Sequence, residues 1–231
     1  MAQSNVFVSE VLRVGPLTLT TTVVMTWGIM LALGIAAWAA SRLLRASPKP
    51  WQVALEGSVS AIEDAIRTVL PEQGQDVLPF IGTLWIFIVV ANLASLIPGI
   101  HSPTGDLSLT AALAVLVFLA VHWYGIRAHG LKTYLRHYLK PNPILLPFHV
   151  MSELSRTVAL AVRLFGNIFS LQMAALLILL VAGFLAPVPV LMLHIIEALV
   201  QAYIFGMLAL IYIAGALQSQ QLTIEVERTN K

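Results

Sequence analysis

Arg156 and Arg163 stand seven residues apart in the stretch SELSRTVALAVRLFGNIFS, residues 152–170, inside a long apolar segment. A central arginine costs about 2.5–3.5 kcal/mol on insertion scales and about 10–17 kcal/mol in simulations of an isolated helix, so it faces protein or water. Seven helical residues fall about 20° short of two full turns, and Asn167 lies four beyond Arg163, so the three side chains form one polar stripe. Glu153 precedes Arg156 by three and can pair with it along the helix. Arg163 has no acidic residue within four positions, so a local ion pair does not account for it. Further on, His194, Glu197 and Gln201 are spaced three and four apart and share a helix face. A carboxylate and an imidazole are the usual members of a proton relay. Facing polar groups of this kind either line a water-filled path or close a dry hydrogen-bond network.

Other chemistry finds less support. His194-x-x-Glu197 and His149-x-x-x-Glu153 have the spacing of metal ligands, but a metal needs three or four convergent donors and neither pair has obvious partners, so no metal is expected. The sequence contains no Gly-x-Ser-x-Gly, no His-Glu-x-x-His and no phosphate loop, which argues against proteolysis or nucleotide hydrolysis by the chain itself. With no cysteine, thiolate chemistry and disulfides are excluded.

The elements that must hold these residues are membrane helices. The 231-residue chain is 58% apolar and 10% charged, with a mean hydropathy of +0.87. Soluble domains carry roughly 25% charged residues. The expected class is an all-α polytopic membrane protein forming a single membrane domain over residues 1–231. Nothing in a net charge of +2 points to nucleic acid.

Residues 18–40 form an uncharged run long enough to cross a hydrocarbon core about 30 Å thick. The first fifteen residues lack the pattern of a cleaved signal peptide, so this span is expected to be retained. Over residues 51–70, Leu55, Val59, Ile62, Ile66 and Val69 alternate with charged positions at helical spacing, predicting an amphipathic helix on the membrane surface. Residues 77–97 and 107–126 are a second and third span, separated by a loop rich in Pro and Gly. A basic loop covers 127–143. Residues 144–185 and 188–217 then give two helices too long for upright crossing, which predicts a steeply tilted hairpin, with 218–231 as a polar tail. A turn centred between 183 and 187 sets Glu197 and Gln201 opposite a stretch holding Asn167 and Gln172. Gln172 lies nine residues from Arg163 and thus on the opposite side of its helix.

If the spans alternate, Arg42, Arg45, Lys49, Arg67, Arg127, Lys132, Arg136, Lys140, Arg228 and Lys231 fall on one side, and Arg13 on the other. The positive-inside rule then places the amino terminus outside and the carboxyl terminus in the cytoplasm.

PFHVMSELSRTVALAVRLFGNIFS resembles the signature of subunit a of F-type rotary ATP synthases, the stationary ion-channel subunit beside a rotating ring. NLASLIPGIHSPTGDLSLTAALAV and HIIEALVQAYIFGMLALIYI resemble the same family's preceding helix pair and last helix, so the likeness runs from about Asn92 to Ile213. The resemblance implies that Arg163 is the essential arginine facing the ring. It implies that Asn167, Gln172, His194, Glu197 and Gln201 belong to the ion pathway, with Ser152, Glu153, Ser155 and Arg156 in a cytoplasmic half-channel. Many proton-driven members carry Glu where this chain has Gln172. Either the relay has moved to Glu197, or the transported ion is Na⁺.

On this reading the chain needs no cofactor and is not an enzyme by itself. It translocates ions, protons foremost, through two offset half-channels of a bacterial plasma membrane. Its partners are the c-ring of the rotor, the peripheral-stalk b subunits, the soluble catalytic headpiece and membrane lipids. The rival from another class is a stand-alone secondary transporter, with Arg163 binding an anionic solute at midplane.

Overall fold

The computed structural model describes residues 10–14, 17–43, 50–96, 103–131, 134, 146–182 and 188–229. Most of the basic loop and the turn at 183–187 lie outside the described residues. Two short strands, β1 (Glu10–Val14) and β2 (Leu17–Thr20), pair antiparallel at the amino end. They lead into α1 (Thr21–Leu43). The expected start of the first span at residue 18 is therefore corrected: Thr18 pairs with Arg13 in the hairpin, and the helix begins at Thr21. The β-branched threonines suit a strand as well as an apolar helix, so hydropathy alone does not separate the two.

The remaining elements are α2 (Pro50–Val69), α3 (Gly74–Leu93), α4 (Leu107–His129), α5 (Leu146–Ala182) and α6 (Val188–Thr229). The second span ends at Leu93 in a short 3-10 turn over Ala94–Leu96 rather than running as helix to residue 97. Five of these helices, α1 and α3 to α6, are long and apolar enough to cross a membrane. Apart from the amino-terminal hairpin, the chain is an all-α polytopic membrane protein. Further boundaries differ: α3 begins at Gly74 rather than 77, α4 runs to His129 rather than 126, into the expected basic loop, and α6 continues to Thr229, past the expected end at 217. No Gly or Pro follows residue 217 to stop it, and Gln and Leu are good helix formers.

The core lies where α3, α4, α5 and α6 meet. Ile81, Ile88 and Ala91 of α3 pack with Ala114 and Val117 of α4, Leu160 and Leu164 of α5, and Ala202, Phe205 and Leu210 of α6. Small residues let these helices approach closely, as membrane packing favours. Gly206 is the clearest case: a Cβ there would overlap the indole of Trp85. The indole stacks on Tyr203 with centroids 5.8 Å apart and donates from Nε1 to the Tyr203 carbonyl at 3.3 Å. This contact locks α3 to α6.

Outside the core, α2 uses only part of its apolar stripe. Ile66 is buried, whereas Leu55 and Val59 stay about half exposed, as expected of a helix with lipid or a partner beneath it. No residue of α1 is buried. It is tied at one end, where Thr22 Oγ1 donates to Asp106 Oδ2 at 2.7 Å while Oδ1 of Asp106 caps α4 by accepting from Ser108 N at 2.9 Å.

Candidate ion-pathway site

Helix α5 has 37 residues and α6 has 42, or roughly 56 and 63 Å at 1.5 Å per residue, about twice the hydrocarbon thickness. They pack against each other. Their facing register brings Asn167 and Gln201 together: Asn167 Nδ2 donates to Gln201 Oε1 at 2.7 Å. Gln201 is buried, and its Nε2 has no hydrogen-bond partner among the described residues.

Arg163 lies one turn before Asn167 and is exposed on the open face of α5. The same face carries Ser155, Ala159, Gly166 and Ser170, which cluster within about 80° of arc at 100° per residue. Small side chains around an exposed guanidinium leave room for another helix to come close. Val162 is exposed beside them, and Val158 and Leu154 are exposed farther round the helix. A bare lipid contact would leave this charge badly solvated.

One and two turns before Gln201 on α6 stand Glu197, half-buried, and His194, buried. His194 Nε2 lies 3.3 Å from the carbonyl oxygen of Asn92. Asn92, fully buried in α3, donates from Nδ2 to the Ala198 carbonyl at 3.3 Å and accepts from Thr104 Oγ1 at 2.7 Å. Asn92 and Thr104 thus join the polar cluster, though spacing within α5 and α6 did not single them out. The signal available was an amide at the end of an otherwise apolar span.

Gln172 does not face Gln201. Its amide lies against the 3-10 turn Pro103–Gly105, where a Cβ on Gly105 would sit 2.8 Å from Oε1. One helix therefore presents Arg163 on its open face and Gln172 toward the turn before α4.

At the other end of α5, Glu153 and Arg156 do not pair along the helix as expected. Glu153 Oε2 reaches across to His122 Nε2 of α4 at 3.3 Å, and Arg156 places its guanidinium 5.6 Å from the ring centroid of Tyr212 on α6. An aromatic face and a neighbouring helix outcompete the i,i+3 partner here. His122, Tyr134, His149, Glu153, Arg156 and Tyr212 are among the residues lining a cavity of 240 Å³. Ser152 also lines it, whereas Ser155 lies outside it on the Arg163 face.

A helix bundle with five apolar spans, polar side chains meeting between its helices, and two exposed arginines, Arg156 and Arg163, within the fourth span defines a multi-pass membrane protein with intramembrane polar chemistry. The family model described as ATP synthase A chain matches residues 23–214, and the chain belongs to that family. It is similar to ATP synthase subunit a 2 of Pelobacter propionicus, with 63% identity over 219 residues covering 95% of this chain and 94% of the relative. It is 57% identical to ATP synthase subunit a of Legionella pneumophila strain Philadelphia 1, covering 93% of this chain and 94% of the relative. Identity to ATP synthase subunit a 1 of Hahella chejuensis is 64%, over 90% of this chain and 88% of the relative.

Proposed function

We propose that this chain is the stationary ion-translocating subunit of a rotary ATP synthase, with Arg163 as the fixed charge that faces the rotor. The observation that carries the reading is the exposure of Arg163 on a small-residue face in the middle of a 35-residue apolar span. Family membership supports the same assignment. The occupant of that face is a ring of c subunits, each bringing a carboxylate. Peripheral-stalk b subunits and the catalytic headpiece complete the assembly.

The physics follows from the cost of charge in lipid. A rotor carboxylate is neutral while it faces lipid, because an unpaired ion there is expensive. Next to Arg163 its ionised form is favoured, so the bound ion is released. A guanidinium suits this position because it stays charged when partly desolvated, whereas an ammonium can lose its proton.

Two polar regions flank Arg163. Glu153 lies ten residues before it and Gln172 nine after, roughly 15 and 14 Å along the helix axis. The group of Asn92, Thr104, His194, Glu197 and Gln201, with Asn167 and Gln172, lines the half-channel open to the outside. The cavity beside Ser152, Glu153 and Arg156, with Ser155 near by, belongs to the half-channel open to the cytoplasm. Because the two are offset, an ion crosses only by riding the ring through nearly a full turn. The ion is a proton: imidazole and carboxylate groups serve in both regions, and both exchange protons readily. The amino terminus lies outside and the carboxyl terminus inside, with α5 and α6 tilted against the ring.

The test is ATP-driven pumping by vesicles carrying the whole complex. Arg163→Gln is expected to abolish pumping while the headpiece still hydrolyses ATP. Normal pumping by that variant would overturn the assignment.

A further inference from the structure

We propose that His122 of α4 and Glu153 of α5 form a proton-exchanging pair that passes each proton between the rotor side and cytoplasmic water. The inference rests on the ion-translocating reading above and adds a residue on a helix outside the α5–α6 hairpin.

His122 Nδ1 lies 2.8 Å from the carbonyl oxygen of Phe118. A carbonyl only accepts, so Nδ1 carries a hydrogen. In the neutral ring Nε2 then offers only a lone pair, and it sits 3.3 Å from Glu153 Oε2, which also offers only lone pairs when ionised. The contact is a hydrogen bond only when one further proton lies between them, on Nε2 or on Oε2. The pair therefore holds a single exchangeable proton in common.

Transfer within the pair breaks the Nε2–H bond and forms Oε2–H, turning imidazolium and carboxylate into neutral imidazole and carboxylic acid. The acid then releases the proton to water, leaving imidazole and carboxylate ready to be reloaded on Nε2. No other reactant is needed, and the reverse sequence serves pumping in the opposite direction.

The surroundings fit exchange with water. Both side chains are a little over one quarter exposed, at 28% and 27%, and both line the 240 Å³ cavity, which has room for several waters. Among the described residues, the other titratable or charged groups facing the cavity are His149 and Arg156 of α5, Tyr212 of α6, and Tyr134, whose ring meets that of His122 edge-on at 5.9 Å. Arg156 follows Glu153 by three residues, with its guanidinium over the Tyr212 ring. The rings of Phe118 and Tyr134 hold the imidazole in place.

The test uses inside-out vesicles bearing the whole complex, so that the bath is the cytoplasmic side, and measures ATP-driven pumping against bath pH. His122→Gln is expected to slow pumping by about a hundredfold, the low end of the range for a lost acid–base group, and to flatten the pH profile over roughly pH 5 to 8. Exchanging the partners, His122→Glu with Glu153→His, is expected to restore both rate and profile. Wild-type rate and profile in His122→Gln would overturn the proposal. So would slowed pumping with an unchanged profile and no rescue, which is the mark of a structural role. Should His122→Gln fail to assemble, the profile of Glu153→Gln decides in the same way. A flux carried by Na⁺ and indifferent to bath pH would overturn the pair but leave Arg163 in place. Intact pumping by Arg163→Gln in the same vesicles would instead remove the underlying reading.

Discussion

Asn167 and Gln201 join α5 to α6 through one 2.7 Å hydrogen bond between side chains 34 residues apart, one turn from Arg163. The bond fixes the level at which the two helices face each other, and so the backing of the arginine. It is an intramembrane contact in which each amide limits the other's rotamers.

Replacing Asn167 with Leu leaves the buried Gln201 carbonyl oxygen without this donor, at a cost of about 1–3 kcal/mol. Replacing both residues with Leu removes the orphan and is expected to cost less than the sum of the single changes. Thermal midpoints of the purified complex in a double-mutant cycle check this. Simple additivity would show that the bond contributes nothing to the register.

Gly206→Ala is expected to separate α3 from α6, because the new Cβ meets the Trp85 indole and overpacking costs about 1–3 kcal/mol. Gly34→Ala on α1 is the matched control, since a Cβ there meets nothing within 4 Å. The midpoint of the first variant should fall and that of the control should hold or rise. Equal midpoints would remove the lock between Trp85 and α6.

Gly105→Ala acts on function rather than stability. Its Cβ would stand 2.8 Å from Gln172 Oε1, the far end of a flexible side chain that can swing away at little cost. The midpoint should move by no more than the equivalent of about 0.5 kcal/mol, as for ordinary tolerated substitutions. Ion pumping should slow, and adding Gln172→Ala should slow it no further, because both changes remove the same amide from the same place. Additive losses would separate Gln172 from the pathway.

Much of this architecture is legible in the sequence because the bilayer imposes a length. Each crossing helix needs about 20 apolar residues, and the runs following Thr18, Val77, Leu107, Ile144 and Val190 supply them. The facing of Asn167 and Gln201 is legible for a related reason. Two long helices joined by a short turn leave little freedom in their antiparallel register.

The rest depends on which helices become neighbours. Glu153 has Arg156 three residues away, yet it meets His122 on a helix whose sequence carries no sign of that approach. Asn92 is visible as a lone amide, but its link to His194 and Thr104 arises only when α3 packs on α6. The amino-terminal hairpin escaped hydropathy because Leu and Thr suit both a strand and an apolar helix. The far end of α6 escaped because polarity marked a tail, whereas a helix already nucleated by its packed part propagates through polar residues when no breaker stops it.

Passive conduction through vesicles stripped of the headpiece tests the role of Arg163 without ATP hydrolysis in the way. If its charge separates two half-channels, Arg163→Ala should open a leak driven by the gradient alone, in membranes that the wild-type sector keeps tight. Stripped vesicles carrying that variant that stay as tight as wild type, and pump normally once the headpiece is restored, would show that Arg163 does not divide the path.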